Sequence, residues 1–244
     1  MPEKFLPDGG SLDKAKAGLV HLLTAFGSII GLLACAAAVQ GEWTTVQVLI
    51  LLAVAIDSAD GTLARKLKVK QTLPRIDGAL MDNLVDFINY CFLPAFILLF
   101  SNLLPVQARL AAASLLLLSS CYQFSQTDAK TRDCYFRGFP SYWNVLVVYL
   151  FLLETSAAVN LAAIIAFAIL VFIPIYYVYP SRTPTLRRLT LGLSLAWLLL
   201  ILSAVLLQPG YAEASRLAAL FSLLFIVYYL ALSLFLSAKR YGFI

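Results

Sequence analysis

Residues 57–87 read DSADGTLARKLKVKQTLPRIDGALMDNLVDF, and they set Asp57, Asp60, Asp82 and Asp86 against the ends of two long apolar runs. Thirteen carboxylates occur in the 244 residues, and five fall between positions 57 and 86. Asp57 and Asp60 are three apart, and Asp82 and Asp86 four apart, so each pair shares one face if its segment is helical. A helical turn rises about 5.4 Å, which lets each pair aim its oxygens at a common point. The basic loop between the two segments brings the pairs together.

The rest of the chain says what surrounds them. It is 61% hydrophobic and 13% charged, with a mean hydropathy of +0.88. No soluble domain of this size can hide so much apolar surface, and runs of about 20 apolar residues are the mark of membrane-spanning helices. The fold class expected is an all-α polytopic membrane protein. Eight spans are predicted, at roughly 18–39, 43–63, 79–101, 105–124, 142–154, 157–179, 189–207 and 214–237. The fifth is short as written and is expected to begin nearer Phe139. SLDKAKA, residues 11–17, is expected to be either an interfacial helix or an ordinary positive flank. This divides the chain into an N-terminal segment 1–17, a membrane domain 18–237 and a tail 238–244.

With both termini placed in the cytoplasm, the basic loops fall on that side. Sixteen Lys and Arg residues lie there, and only Arg109 and Arg216 lie opposite. Basic residues are retained on the cytoplasmic side during insertion, so the bias fixes the topology. The net charge of +5 then points to anionic headgroups and phosphate substrates. No solvated basic face is available for nucleic acid. Cys35, Cys91, Cys121 and Cys134 lack metal-ligand spacing and read as small apolar residues. His21, the single histidine, reads as a helix-packing residue.

Four ionised carboxylates converging in a low-dielectric setting need compensating charge. A donor set of oxygen alone favours hard divalent ions, Mg²⁺ or Mn²⁺. Two such ions characteristically clamp a phosphate group undergoing displacement. Gly61 and Ala64 leave space beside the acidic face, and Gly78 precedes Asp82 by one turn; missing side chains admit a flat ligand such as a nucleobase. Arg65 can grip a phosphate through two parallel hydrogen bonds. Taken singly, these residues also suit helix packing and membrane anchoring.

Together, Asp57-x2-Asp60-Gly61-x2-Ala64-Arg65-x12-Gly78-x3-Asp82-x3-Asp86 resembles the signature of the CDP-alcohol phosphatidyltransferases. The family's usual spacer between the Arg and the second Gly is eight residues; the twelve found here resemble the bacterial phosphatidylcholine synthase branch, which joins choline to CDP-diacylglycerol. The resemblance implies an inner-membrane homodimer with two divalent ions and an active site on the cytoplasmic side. It implies that Asp57, Asp60, Asp82 and Asp86 are metal ligands, with Asp86 also the general base. It further implies that Asp60, Gly61, Ala64, Arg65 and Gly78 receive the nucleotide diphosphate.

The acceptor alcohol is less constrained. The loop DCYFRGFPSYWN, residues 133–144, gathers Tyr135, Phe136, Tyr142, Trp143 and Asn144 as a candidate choline site. A quaternary ammonium has no N–H to donate and is held by aromatic faces. Aromatic residues also anchor helix ends at membrane interfaces, and phosphatidylserine synthases carry a related FxGxP stretch. Asp128 is a candidate to face a cationic acceptor. Arg182, Arg187 and Arg188 are candidates for lipid phosphate contacts, with positive-inside anchoring explaining them equally well. Three readings stay open: a choline transferase, a transferase for serine or another alcohol, and a cation-coupled transporter whose intramembrane carboxylates bind ions.

Overall fold

A computed structural model describes residues 10–243. Helices α1 (Ser11–Val39), α2 (Trp43–Lys66) and the short α3 (Val69–Thr72) come first. Next, α4 (Gly78–Asp86) runs through a π-helical turn, Phe87–Phe92, into α5 (Leu93–Phe100). The order continues with α6 (Val106–Ser125), β1 (Tyr135–Arg137), α7 (Trp143–Leu153), α8 (Ala157–Phe172), β2 (Tyr176–Val178), α9 (Arg187–Leu207) and α10 (Ala212–Arg240).

A helical segment therefore stands at each of the expected spans. Among the described residues, five are long and apolar enough to cross a membrane: α1, α2, the continuous Gly78–Phe100 segment, α9 and α10. The outward faces of these helices are apolar, with Leu22, Leu32, Leu195, Leu224 and Val227 exposed, as lipid contact requires. The fourth expected span, α6, carries Gln107, Arg109 and Gln123 within its length. The fifth and sixth are shorter than expected. Alpha7 has 11 residues and α8 has 16, against about 20 needed for a full crossing.

The shortening has local causes. Before α7, Gly138 adopts φ +76° and its N–H donates to Ile175 O at 2.9 Å, while Phe139 N–H donates to Leu170 O at 3.1 Å. The backbone at Gly138 and Phe139 is thus tied to the chain leading into β2 and to the end of α8, and α7 begins only at Trp143. After α8, Ile173 precedes Pro174 and takes an extended conformation (ψ 121°), as the residue before proline prefers. The chain then pairs β2 antiparallel to β1, with Phe136 opposite Tyr177. At the other end of the chain, residues 11–17 form the first turns of α1 itself and not a separate helix. The expected segment preceding them, residues 1–9, lies outside the described residues.

Two features bring the acidic helices together. Alpha1 packs along α2 and α4, and Gly27 and Gly31 make the second contact close. A Cβ on Gly27 would meet Val85 Cγ1 at 2.7 Å, and one on Gly31 would meet Ile88 Cγ2 at 2.8 Å. Small residues four apart let helix backbones approach in this way. The π-helical turn has a covalent cause: Pro94 has no N–H to give the carbonyl of Tyr90, four residues back, and a locally wider turn accommodates the gap.

At Gly138 the positive φ coincides with a tight contact, since a Cβ would lie 2.3 Å from Val171 O. Gly138→Ala is expected to destabilise the fold by about 2 kcal/mol or more. Thermal unfolding in detergent should show a midpoint several degrees lower.

Candidate active site

Asp57 and Asp60 lie in the second half of α2, and Asp82 and Asp86 on the facing turns of α4. One carboxylate oxygen from each of Asp57, Asp82 and Asp86 lies within 4.8 Å of the others. The three side chains are half-buried, and with Asp60 they line a cavity of about 10 Å³ together with Thr24, Gly27, Asn89 and Tyr90. That is room for an atom-sized occupant. The donor set is oxygen only and convergent, which fits a hard divalent ion. Asp60 is 3% exposed, and its Oδ1 has no hydrogen-bond partner. A buried carboxylate oxygen left without a donor fits a nearby cation.

The carboxylates are held from outside the motif. Tyr90 Oη donates to Asp57 Oδ2 at 2.8 Å. Thr24 Oγ1, on α1, donates to Asp60 Oδ2 at 2.6 Å. Asn89 Nδ2 donates to Gly27 O at 3.0 Å and Val85 O at 3.1 Å, locking the π-helical turn onto α1. Asp77, the fifth carboxylate of the cluster, has a different task. It caps α4 by accepting from the N–H groups of Ala79 and Leu80.

A cation reaches the site from the loop after α6. Lys130 Nζ lies 3.0 Å from Asn83 Oδ1, 3.5 Å from Asp82 Oδ2 and 3.9 Å from Asp86 Oδ2. Burial disfavours its charge, but the carboxylates of Asp86 and Asp82 outweigh this and leave its pKa above the usual lysine value.

The small residues are more engaged than their spacing suggests. A Cβ on Gly61 would meet Arg65 Nη1 at 3.3 Å, so the guanidinium lies over this glycine, where it also donates to Thr62 Oγ1 at 3.1 Å. Ala64 packs against the small cluster of Ala17, Val20 and Val69. Gly78 is approached by the ring of His21, whose Cε1 would stand 2.8 Å from an added Cβ. His21 is buried and packs between helices, as its sequence context suggested.

The aromatic residues divide. Tyr142 is the hub of a cluster: its ring lies 6.0 Å from Tyr90, 6.3 Å from Phe136 and 6.2 Å from Tyr229. Phe136 in turn stacks on Tyr179 at 4.5 Å. Since Tyr90 also holds Asp57, this cluster adjoins the carboxylates directly. Trp143 is sealed in the core against Phe139 and Phe167, Asn144 is fully buried, and Tyr135 lies on β1 opposite Val178. Asp128 is already paired, with Arg137. Arg182 packs over the Tyr179 ring at 5.1 Å. Arg65 is near enough to Arg182 and Arg187 to feel their like charges. Arg188 is exposed at the start of α9.

Thr24, Asn83, Tyr90, Lys130, Tyr179 and Tyr229 were not singled out in the sequence. The one available signal was the Gly27-x3-Gly31 spacing, which marks α1 as a close neighbour of another helix. It does not say which residues that neighbour contributes.

These features define a class, a multi-pass helical membrane protein whose helices bring together an oxygen-only cluster that could hold a metal ion. Comparison with known proteins goes further. The chain is 38% identical over 223 residues to a phosphatidylcholine synthase of Borreliella burgdorferi, covering 91% of this chain and 95% of that protein. A phosphatidylcholine synthase of Legionella pneumophila is 39% identical over 223 residues, 90% of this chain and 88% of its own. One of Pseudomonas aeruginosa is 36% identical over 199 residues, 82% and 84%. No protein-family model matches the chain. The chain belongs to the phosphatidylcholine synthase family, in agreement with the resemblance carried by its aspartate motif.

Groups that orient metal ligands commonly contribute 10- to 100-fold to metal affinity. Tyr90→Phe removes the donor to Asp57 while keeping the ring in its cluster. The Mn²⁺ concentration giving half-maximal thermal stabilisation is expected to rise about tenfold.

Proposed function

We propose that the chain transfers the phosphatidyl group of CDP-diacylglycerol to choline, forming phosphatidylcholine and releasing CMP. The observation that carries this reading is the convergence of Asp57, Asp82 and Asp86 within 4.8 Å, one tyrosine away from an aromatic cluster. Membership of the family supports it, since the relatives are named for phosphatidylcholine synthesis.

Asp57, Asp60, Asp82 and Asp86 would hold two Mn²⁺ or Mg²⁺ ions. When bound, these supply the positive charge that steadies a diphosphate through displacement. The protein's own residues do the rest. Arg65, lying over Gly61, faces the diphosphate and orients it, and Ala64 and Gly78 border the nucleotide. Arg182, Arg187 and Arg188 contribute further positive charge toward the lipid phosphate. Phe136 and Tyr142 offer aromatic faces to the choline ammonium, with Tyr90 and Tyr179 completing that wall. Trp143 and Asn144 act from behind it, and Tyr135 holds the strand that carries Phe136.

An alcohol is a poor nucleophile until its proton is removed during attack. A carboxylate oxygen of Asp86 takes that proton as the choline oxygen bonds to the phosphatidyl phosphorus. The bond from that phosphorus to the CMP oxygen breaks, and CMP departs with the electron pair. Tyr90 and Thr24 keep Asp57 and Asp60 fixed, so little reorganisation is needed at that moment.

The proposal includes eight spans, both termini cytoplasmic, in a bacterial inner membrane. The donor lipid enters sideways from the inner leaflet, and choline arrives from the cytosol. The functional unit is a homodimer.

Purified protein with Mn²⁺ and CDP-diacylglycerol is expected to release CMP when choline is added. Serine, glycerol 3-phosphate and inositol phosphate should give none. Asp86→Asn should lower the rate by about 10²–10⁴-fold, the usual contribution of a general base. Release with serine instead would move the acceptor assignment away from choline, and no release with any alcohol would discard the transferase reading.

A further inference from the structure

The loop between α6 and β1 does more than connect them. Lys130 forms an antiparallel bridge with Phe136, and Arg137 N–H donates to Ala129 O at 2.9 Å. Within this turn, Thr131 N–H donates to Tyr135 O at 2.9 Å and Cys134 N–H donates to Thr131 O at 3.0 Å. The turn is fastened to the body of the protein at three points. Gln123 Nε2 donates to Arg137 O at 2.9 Å, Thr183 Oγ1 donates to Cys134 O at 2.7 Å, and Asp133 pairs with Arg240. The backbone of Lys130 is thereby held while its side chain, 42% exposed, keeps a route to solvent.

The ammonium at the end of that side chain contacts Asp82 and Asp86, two of the three converging carboxylates. Both a divalent ion and the ammonium draw on the negative charge of these oxygens, and the two cations repel each other at such short range. A flexible lysine resolves the conflict by swinging outward, because its stem rotates freely and its head group is readily solvated.

We propose that Lys130 is a tethered counter-ion of the acidic cluster. It neutralises Asp82 and Asp86 in the metal-free protein, and an incoming divalent ion must displace it, so that Lys130 sets the metal affinity of the site. This rests on the metal-centre reading of the cluster.

The sign of the effect separates this role from a structural brace. If Lys130 merely supported the fold of the site, its removal would loosen the ligands and weaken metal binding. A displaced competitor has the opposite signature. The test is direct titration with Mn²⁺ of full-length protein in nonionic detergent at low ionic strength, without lipid substrate, with free Mn²⁺ counted by electron paramagnetic resonance. Lys130→Gln is expected to bind Mn²⁺ about tenfold more tightly than the native protein. Lys130→Arg, which keeps the charge, should stay within about twofold of native.

Equal or weaker binding by Lys130→Gln would overturn the proposal, and so would an Arg variant tightened as much as the Gln variant. Absence of Mn²⁺ binding in all three proteins would remove the metal centre itself and the counter-ion role with it. Native binding with no tightening in the Gln variant would spare the centre and reject only the role of Lys130.

Discussion

Three carboxylates aimed at one point repel one another, and the architecture around them is arranged to hold them there. Two unit charges within 4.8 Å repel by about 3 kcal/mol at an effective dielectric of about 20. Three such pairs form a substantial load for a fold whose net stability is usually about 5–15 kcal/mol. Gly27 and Gly31 bring α1 against α4 and the π-helical turn, which limits how far the acidic helices can splay. Tyr90 and Thr24 donate to the carboxylates, and Lys130 supplies a charge from a distant loop. Each of these devices lowers the cost of keeping oxygens together, and a divalent ion would lower it most.

The same devices connect the cluster to the rest of the site. Tyr90 belongs both to the support of Asp57 and to the ring cluster centred on Tyr142. Its position follows from the π-helical turn, and the turn follows from Pro94. Phe136 belongs both to that cluster and to the strand pair β1–β2, which also positions Tyr179 and leads on to Arg182. Acidic, aromatic and guanidinium groups thus meet around one end of the helices. A phosphate-bearing lipid and a cationic alcohol need these three chemistries side by side.

Much of this was legible in the sequence. Apolar run length identifies the helices, and the separations of three and four residues put each aspartate pair on one face. Oxygen-only donors define the class of ion. What escaped has physical reasons. Thr24 and Lys130 act across the fold from 36 and from more than 40 positions away, and no local spacing encodes such pairing. Tyr90 depends on a π-helical turn, which shifts the register that an α-helical reading assumes. The lengths of α7 and α8 were overestimated because hydropathy ignores the backbone: Gly138 and Pro174 hold flanking apolar residues in extended pairing. Trp143 reads like a binding-site aromatic by composition, yet its large ring is worth most in the core, where Phe139 and Phe167 receive it. Gly78 reads as space for a ligand, and in the fold the ring of His21 takes up one side of that space.

The central claim is that the converging Asp57, Asp82 and Asp86 together ligate a divalent ion. Its most direct test is an anomalous difference map, recorded at the manganese edge, from crystals grown with Mn²⁺. A manganese peak within direct coordination distance of oxygens of all three carboxylates, lost in crystals of Asp82→Asn, is the result this geometry requires. Strong peaks elsewhere with none at the cluster, or a peak unchanged in Asp82→Asn, would contradict it.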